Sequence, residues 1–349
     1  MSGGVDSSVA AFLMKEQGYD CIGVTMKLFA NETIGLPAGK TCCSLDDVED
    51  AKSVAYRLGM NHYVFNFKDS FEECVIDKFV SAYENGATPN PCIDCNRYLK
   101  FSQLYRRAVE LGCDKIVTGH YARVEFDEKS GRFLLKKALD ASKDQSYVLY
   151  HLTPELLKHI AFPLGELTKS QVREIAEREG FVNAHKSDSQ DICFVPDGDY
   201  AGFIESRTGK RFPEGDFIDE NGNVVGRHKG IIRYTVGQRK GLGLSFPQPM
   251  YVKAVDPASN TVMLSENDGL FSDTLTARDI NLISVPEISQ PMRVTAKVRY
   301  RHTAQPATVT QTDTDELRVV FDEPQRAITR GQSVVLYDGD VVVGGGTIV

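Results

Sequence analysis

The sequence predicts an α/β domain built on a parallel sheet, followed by a small central domain and a C-terminal antiparallel β-barrel-like domain. Three observations carry this. A Ser-Gly-Gly-Val-Asp-Ser-Ser string at residues 2–8 runs straight into an apolar helical segment. Strand-like and helix-like stretches then alternate, the pattern of a parallel sheet covered on both faces. After about Tyr200 the texture shifts, first to short glycine- and proline-rich pieces and then to short alternating strands. A chain of 349 residues has room for two or three domains. The shifts place their limits at 1–205, 206–274 and 275–349.

In order along the chain, Gly3 and Gly4 let the backbone approach a phosphate, while Ser2, Ser7 and Ser8 supply hydroxyl donors. The Val9-Ala10-Ala11-Phe12-Leu13 run then forms a helix whose N-terminus faces the anion. No Gly-Lys-Ser/Thr follows, so this is not a Walker loop. A simple glycine-serine helix cap is the bland alternative, and it seldom combines two glycines, three hydroxyls and a carboxylate. Residues 21–28 read as a buried strand. Ser44-Leu45-Asp46-Asp47 opens a helix that runs to Gly59, and 62–67 is a second strand. Helices are expected over 69–83 and 97–111, and a short strand over 115–118 ends in Gly119-His120. Ligands in such sheets bind beyond the carboxyl ends of strands, which brings the opening loop, the turn after Met26 and Gly119-His120 to one crevice. A hairpin over 123–135 turns at 128–131. Thr168-Lys169-Ser170-Gln171 is a capping box, opening a helix that Gly180 closes.

Composition narrows the function classes. Apolar residues make up 42% and charged residues 25%. No window approaches the run of about 18 apolar residues that a membrane span needs, and no signal segment precedes the loop, so a cytoplasmic protein with no membrane partner is expected. The net charge of −8 argues against a general nucleic-acid coat and confines any RNA-binding face to local patches. Eight cysteines without a signal peptide suggest reactive or metal-binding thiols more than a disulfide framework.

Two cysteines stand out. In Thr88-Pro89-Asn90-Pro91-Cys92-Ile93-Asp94-Cys95-Asn96, two prolines stiffen a loop that delivers Cys95 to the start of the 97–111 helix, where a thiol has its pKa lowered. An inert buried cysteine, or half of a metal site formed with Cys92, is the competing reading. Cys193 lies in the polar segment 186–194, where attacking groups tend to sit, although a buried structural thiol is the commoner fate. Cys21 and Cys113 read as structural. Cys42, Cys43 and Cys74 suggest no role.

The opening string resembles the PP-loop of ATP pyrophosphatases. With it, the Pro-Asn-Pro-x-x-x-Cys-Asn loop, Gly119-His120-Tyr121-Ala122-Arg123, Lys143-Asp144-Gln145-Ser146-Tyr147, Ser189-Gln190-Asp191-Ile192-Cys193-Phe194 and Tyr234-Thr235-Val236-Gly237-Gln238-Arg239 occur in the order seen in tRNA-specific 2-thiouridylases. The resemblance implies an adenine-nucleotide-binding PP-loop domain and a tRNA-uridine 2-sulfurtransferase acting on the wobble uridine, position 34, of tRNAs for lysine, glutamate and glutamine. It assigns ATP to Ser2, Gly3, Gly4, Val5, Asp6, Ser7 and Ser8, with Met26 and Gly119 near the adenosine. Asp6 is the candidate Mg²⁺ ligand, and favouring the helix N-terminus is its other reading. Sulfur is expected as a persulfide on Cys193, from a cysteine desulfurase or a sulfur-relay protein. Cys95 is then the partner nucleophile, leaving a Cys95–Cys193 disulfide that a thiol reductant reopens. For tRNA contacts the family points to Asn90, Pro91, Cys92, His120, Lys143, Asp144, Gln145, Arg299, Tyr300 and Gln332. Arg299, Tyr300, Arg301 and His302 form one basic-aromatic stretch. Arg227, His228, Lys229, Arg233, Arg239 and Lys240 form another, suited to phosphates and an unstacked base.

Two departures accompany the resemblance. Cys92 stands where aspartate is common, so Cys92, Cys95 and Cys193 together are also candidate ligands for an iron-sulfur cluster, a second route to the same product. A PP-loop normally follows the first, central strand of its sheet, whereas this chain starts at the motif itself. The expectation is therefore a misplaced start or a truncation. Two competing functions follow: a PP-loop amidating or ligating enzyme, which has no use for the two cysteines, and a truncated, non-catalytic tRNA-binding paralogue.

Overall fold

A computed structural model describes residues 1–29, 45–187 and 192–349. The chain divides into two compact units, one of residues 1–75, 92–198 and 340–342, the other of 76–91, 199–339 and 343–349.

In the first unit, helix α1 (Val5–Glu16) starts directly after Gly4. Strand β1 (Ile22–Lys27) pairs in parallel with β2 (Asn61–Asn66), from Ile22 opposite Asn61 to Lys27 opposite Asn66. Helix α2 (Leu45–Arg57) lies between them in sequence. Its expected first residue, Ser44, lies outside the described residues. Met1 flanks β1: its amine donates to the Val24 carbonyl, and Thr25 Oγ1 donates to the Met1 carbonyl at 2.8 Å. The two strands are less buried than the sequence suggests. Burial alternates along β1 and is sparse along β2, where Tyr63 and Val64 are exposed. Ile116 and Val117 pair in parallel with Ile160 and Ala161 as a second, separate two-stranded sheet.

The core of this unit explains why α1 sits where it does. Val5, Val9, Ala10 and Phe12 on α1 are buried with Val54 of α2 and with Val172 and Ala176 of the helix Lys169–Arg178. Each large aliphatic or aromatic side chain so buried contributes about 1.5–3 kcal/mol, which fixes the first turn of α1 beside both neighbours. The helix Lys169–Arg178 begins with the expected capping box. Gln171 N donates to Thr168 Oγ1 at 3.3 Å, and Thr168 N donates to Gln171 Oε1 at 2.8 Å.

Two helices differ from expectation. Residues 68–84 form one helix with a π-turn at Glu72–Ile76. The helix expected at 97 begins six residues earlier, at Pro91, and runs to residue 110 through a π-helical stretch, Cys95–Gln103. Proline suits the first position of a helix, because its φ is already helical and its missing N–H is not needed there. The expected hairpin forms from Ala122–Asp127 and Arg132–Lys137.

In the second unit, four strands form a small sheet around buried Phe217, Val252, Val262 and Leu264: Val224–His228, Gly215–Ile218, Thr261–Ser265 and Tyr251–Asp256 in spatial order. Beyond it, six strands between Phe271 and Ile348 close into an antiparallel barrel. The closing seam pairs Ala277 with Ile348 and Leu282 with Gly344. Gly344 has φ +156°, and a Cβ there would lie 2.9 Å from Leu282 Cα, so only glycine fits the seam. Alternating residues such as Val294, Val309, Val319, Leu336 and Val343 fill the interior. Among the described residues no helix is long and apolar enough to cross a membrane.

Thr168→Ala removes the hydroxyl of the capping box and should cost about 1 kcal/mol in denaturant unfolding of the full chain. An unchanged midpoint would show that the cap contributes nothing.

Candidate active site

The site is built at the start of α1. Gly4 is its N-cap residue and supplies no side-chain cap, so nothing from the chain's own capping residue covers the first-turn amides. Gly3 has φ +74°, and a Cβ would meet Asp47 Cα at 2.7 Å, so glycine is required for both conformation and space. Ser7 Oγ and Ser8 Oγ donate to the Gly4 carbonyl at 3.0 and 3.1 Å, and Ser2 N donates to Ser7 Oγ at 3.1 Å. Gly119 closes down on this turn, because a Cβ on it would lie 2.7 Å from the Asp6 carbonyl carbon and 2.8 Å from Ser7 N. The loop and Gly119 therefore meet, as the topology predicts, and Met26 is the penultimate residue of β1.

Asp6 is more engaged than the sequence suggests. Lys169 Nζ bonds both of its oxygens, at 2.8 and 2.9 Å, and the Tyr121 hydroxyl donates to one of them at 2.8 Å. Lys169 reaches it from the first position of the capping-box helix. A second cation stands behind the loop: Lys186 Nζ lies 2.7 Å from both Asp47 and Asp50 and donates to the Gly3 carbonyl at 3.3 Å. Burial works against its charge, and the bonds to the two aspartates outweigh that, so its pKa rises. Asn183, 2% exposed, donates to the Gly3 carbonyl and to Ser8 Oγ. No local pattern in the sequence assigns Lys169, Asn183 or Lys186 to the loop; they reach it only through packing.

Cys95 corrects an expectation. It lies one turn inside the helix that begins at Pro91, not at its N-terminus, and it is buried. Burial raises its pKa; Lys100 opposes this, while Cys92 and Asp94 add to it. The thiol is therefore held in its neutral form, the reverse of the activated thiolate that the sequence suggests. Cys92, by contrast, is exposed. Next to Cys95, Asn96 Nδ2 donates to the Val148 carbonyl at 3.1 Å, docking the helix on the buried turn Ser146–Leu149.

The Lys143-Asp144-Gln145 motif supports that turn. Asp144 accepts from Ala138 N, Ser146 N and Ser146 Oγ. Gln145 exchanges two bonds with the backbone of Tyr121, so the motif links the Cys95 helix to the Tyr121–Asp6 contact. Lys143 is half-buried beside it. His120 is buried against Phe101 and Phe162, with Nδ1 2.7 Å from Thr118 Oγ1. Burial, then Lys100 and His151, push its pKa well below the usual histidine range, so it is a neutral ring.

Cys193 is half-buried beside Phe194, whose ring packs edge-on against Phe71 at 5.7 Å. Residues Ser189, Gln190 and Asp191 of its motif lie outside the described residues, as do Cys42 and Cys43. Cys21, Cys74, Cys92, Cys95, Cys113 and Cys193 all carry thiols rather than disulfides. Among the described residues no group of three His, Cys, Asp or Glu side chains is placed to hold a metal ion. The trio Cys92, Cys95 and Cys193 is thus not gathered into such a group, and Asp6 carries Lys169 on both of its oxygens.

The remaining RNA candidates lie in the second unit. Asn90 and Pro91 end its 76–91 segment. Gln332 Nε2 donates to the Thr88 carbonyl at 2.7 Å, and Thr88 N donates to the Arg330 carbonyl, so Gln332 anchors the strap that leads to Asn90. Arg299 donates to the Arg326 carbonyl at 3.1 Å, Tyr300 is 38% exposed and Arg301 is exposed. The second basic cluster is partly neutralised by Arg227–Asp216 at 2.8 Å and Arg233–Glu205 at 2.7 Å, while Lys229, Arg239 and Lys240 remain exposed. His228 is buried, leaving Lys229, Arg239 and Lys240 as the stronger phosphate candidates.

Because Cys95 is buried and neutral, iodoacetamide at pH 7.5 should alkylate it at least about tenfold more slowly than Cys92, with the Cys95 rate climbing above pH 9. Peptide mapping by mass spectrometry reads both rates. Equal rates would contradict the buried thiol.

Comparison with known proteins accords with this arrangement. Residues 1–197 match a family model described as the tRNA methyl transferase HUP domain, 201–266 the corresponding PRC-barrel domain, and 272–348 an aminomethyltransferase β-barrel domain. A tRNA-specific 2-thiouridylase of Clostridioides difficile is 53% identical over 348 residues, covering 100% of this chain and 96% of its own. Those of Acetivibrio thermocellus and Clostridium acetobutylicum are 52% and 49% identical, each over 100% of this chain and 97% and 98% of their own. A solved U34-tRNA thiolase from Methanococcus maripaludis, with its [4Fe-4S] cluster, is 18% identical over 60% of this chain and 68% of its own, at a TM-score of 0.33, too loose a superposition to bear on the cluster question. The family models carry a methyltransferase label and the full-length relatives a thiolation one; identity near one half along the whole chain decides between them, and the chain belongs to the tRNA-specific 2-thiouridylase family.

Proposed function

We propose that this protein is an ATP-dependent tRNA-uridine 2-sulfurtransferase that converts the wobble uridine, position 34, of tRNAs for lysine, glutamate and glutamine to 2-thiouridine. The observation that carries the reading is the uncapped glycine turn at the head of α1, closed by Gly119, in a chain whose full-length relatives bear the 2-thiouridylase name. Backbone amides at a helix start suit the phosphates of ATP. In this reading residues 2–8 hold the triphosphate and Met26 and Gly119 border the adenosine. The segment 1–205 is catalytic, 206–274 is a small central domain, and 275–349 contacts tRNA.

The chemistry follows from the poor leaving-group character of the uracil C2 oxygen. That oxygen attacks the α-phosphorus of ATP, forming an O–P bond and releasing pyrophosphate. The terminal sulfur of a Cys193 persulfide then attacks C2, and AMP departs with the former uracil oxygen. Cys95, as thiolate, attacks the inner sulfur on Cys193 and breaks the S–S bond. 2-Thiouridine is released and a Cys95–Cys193 disulfide remains, which a thiol reductant reopens with two electrons. The persulfide comes from a cysteine desulfurase or a sulfur-relay protein. The neutral, buried Cys95 fits the last position in this sequence: it is held unreactive until the Cys193 adduct is in place, and Lys100 is the cation available to favour its ionisation. Asn90, Pro91 and Cys92 then lie by the target base, with Arg299, Tyr300 and Gln332 serving the tRNA from the barrel unit. Asp144, Gln145 and His120 act from behind, by holding Tyr121 and the Cys95 helix.

Thiolation with ATP, a persulfide donor and unmodified tRNA, followed by nucleoside mass spectrometry, tests the reading. Wild-type protein should form 2-thiouridine. Cys95→Ser and Cys193→Ser should each lose product by at least about a hundredfold while tRNA affinity stays within about twofold. Normal turnover by either variant would refute the two-cysteine route, and absence of product from the wild type would refute the activity.

A further inference from the structure

The carbonyl of Gly3 is the fixed point of the glycine turn. Asn183 Nδ2 donates to it at 3.0 Å and Lys186 Nζ at 3.3 Å. Neither donor is a loose surface group. Asn183 is 2% exposed and also bonds Ser8 Oγ at 2.9 Å, and Lys186 is gripped by Asp47 and Asp50 at 2.7 Å each. The amide of Asn183 has only one workable orientation, because a carbonyl oxygen needs a donor and only the NH₂ end provides one.

A trans peptide is planar, so its N–H points opposite to its C=O. Pinning the Gly3 oxygen toward Asn183 and Lys186 therefore aims the Gly4 N–H the other way, out of the turn. The next carbonyl, that of Gly4, is likewise held inward by the hydroxyls of Ser7 and Ser8, which aims the Val5 N–H out of the helix start. If the Gly3–Gly4 peptide rotated, it would turn a carbonyl oxygen toward any anion in the turn and repel it. Such a rotation changes ψ of Gly3 and φ of Gly4, and glycine at position 4, with φ −91° here, makes it easy because glycine populates both signs of φ.

We propose that Asn183 and Lys186 are positioning residues for nucleotide binding: together they lock the Gly3–Gly4 peptide with its N–H facing the triphosphate. The two aspartates neutralise Lys186 locally, so it acts by holding the backbone rather than by offering its charge to phosphate. The inference rests on the reading of this turn as the ATP site.

The test is isothermal titration of the full chain with the Mg²⁺ complex of α,β-methylene ATP, alongside tRNA binding. Asn183→Asp replaces the donor with an acceptor, and Lys186→Met keeps the stem without the ammonium. Each should weaken the analogue at least about tenfold, while Lys186→Arg retains affinity within about threefold and tRNA affinity is unchanged. The double variant should be little weaker than the worse single one, because both act on one peptide. Asp50→Asn, at a partly exposed position, should weaken binding by an intermediate amount and covers the case in which the buried variants fail to fold. Binding within twofold of wild type in folded Asn183→Asp, Lys186→Met or Asp50→Asn overturns the positioning role alone. Parallel loss of tRNA and nucleotide binding overturns it as well, by showing a general structural effect. A wild-type protein that does not bind the analogue overturns the ATP reading, and the positioning role falls with it.

Discussion

An anion site made of backbone amides depends on where its carbonyls go. Every peptide that presents an N–H to a ligand must dispose of a C=O on the opposite side, in a place where that oxygen is also satisfied. At the head of α1 the protein meets this requirement twice, with Asn183 and Lys186 on Gly3 and with Ser7 and Ser8 on Gly4. The buried contacts of α1 with α2 and with the helix Lys169–Arg178 fix that turn in space. Asp47 lies in α2 and Lys169 at the head of the other helix, so the elements that bury α1 also bring the groups that grip the loop.

The two cysteines differ in setting, and the difference bears on the order of events. Cys193 is half-buried next to a ring anchored in the core, whereas Cys95 is buried with its pKa raised. A thiol kept neutral does not intercept sulfur or oxidants at rest, and its nucleophilicity appears only when its surroundings change. The bonds from Asn96 to Val148 and between Gln145 and Tyr121 connect the surroundings of Cys95 to the glycine turn, since Tyr121 also bonds Asp6.

Much of this was legible in the sequence, where the signal was local. The glycine turn, the hairpin and the Thr168–Gln171 capping box are encoded in stretches of a few residues, and each formed as read. The start of the Cys95 helix is ambiguous in the sequence, because Pro91 suits a stiff loop and a first helical position equally, and the structure places it at that first position. That six-residue difference takes Cys95 away from the helix N-terminus, and it is burial that raises its pKa. What the sequence did not disclose were contacts across long separations: Lys169 with Asp6, Asn183 with Gly3, and Glu205 with Arg233. No local period or motif carries such pairings; they exist only once helices pack.

The central claim is that the loop activates a uridine oxygen rather than merely binding nucleotide. The most direct measurement follows that oxygen. A tRNA carrying ¹⁸O at C2 of the wobble uridine is thiolated with unlabelled ATP, and the AMP is analysed by mass spectrometry. The account predicts one ¹⁸O in AMP for each 2-thiouridine formed. Unlabelled AMP, with the label released to water, would contradict it.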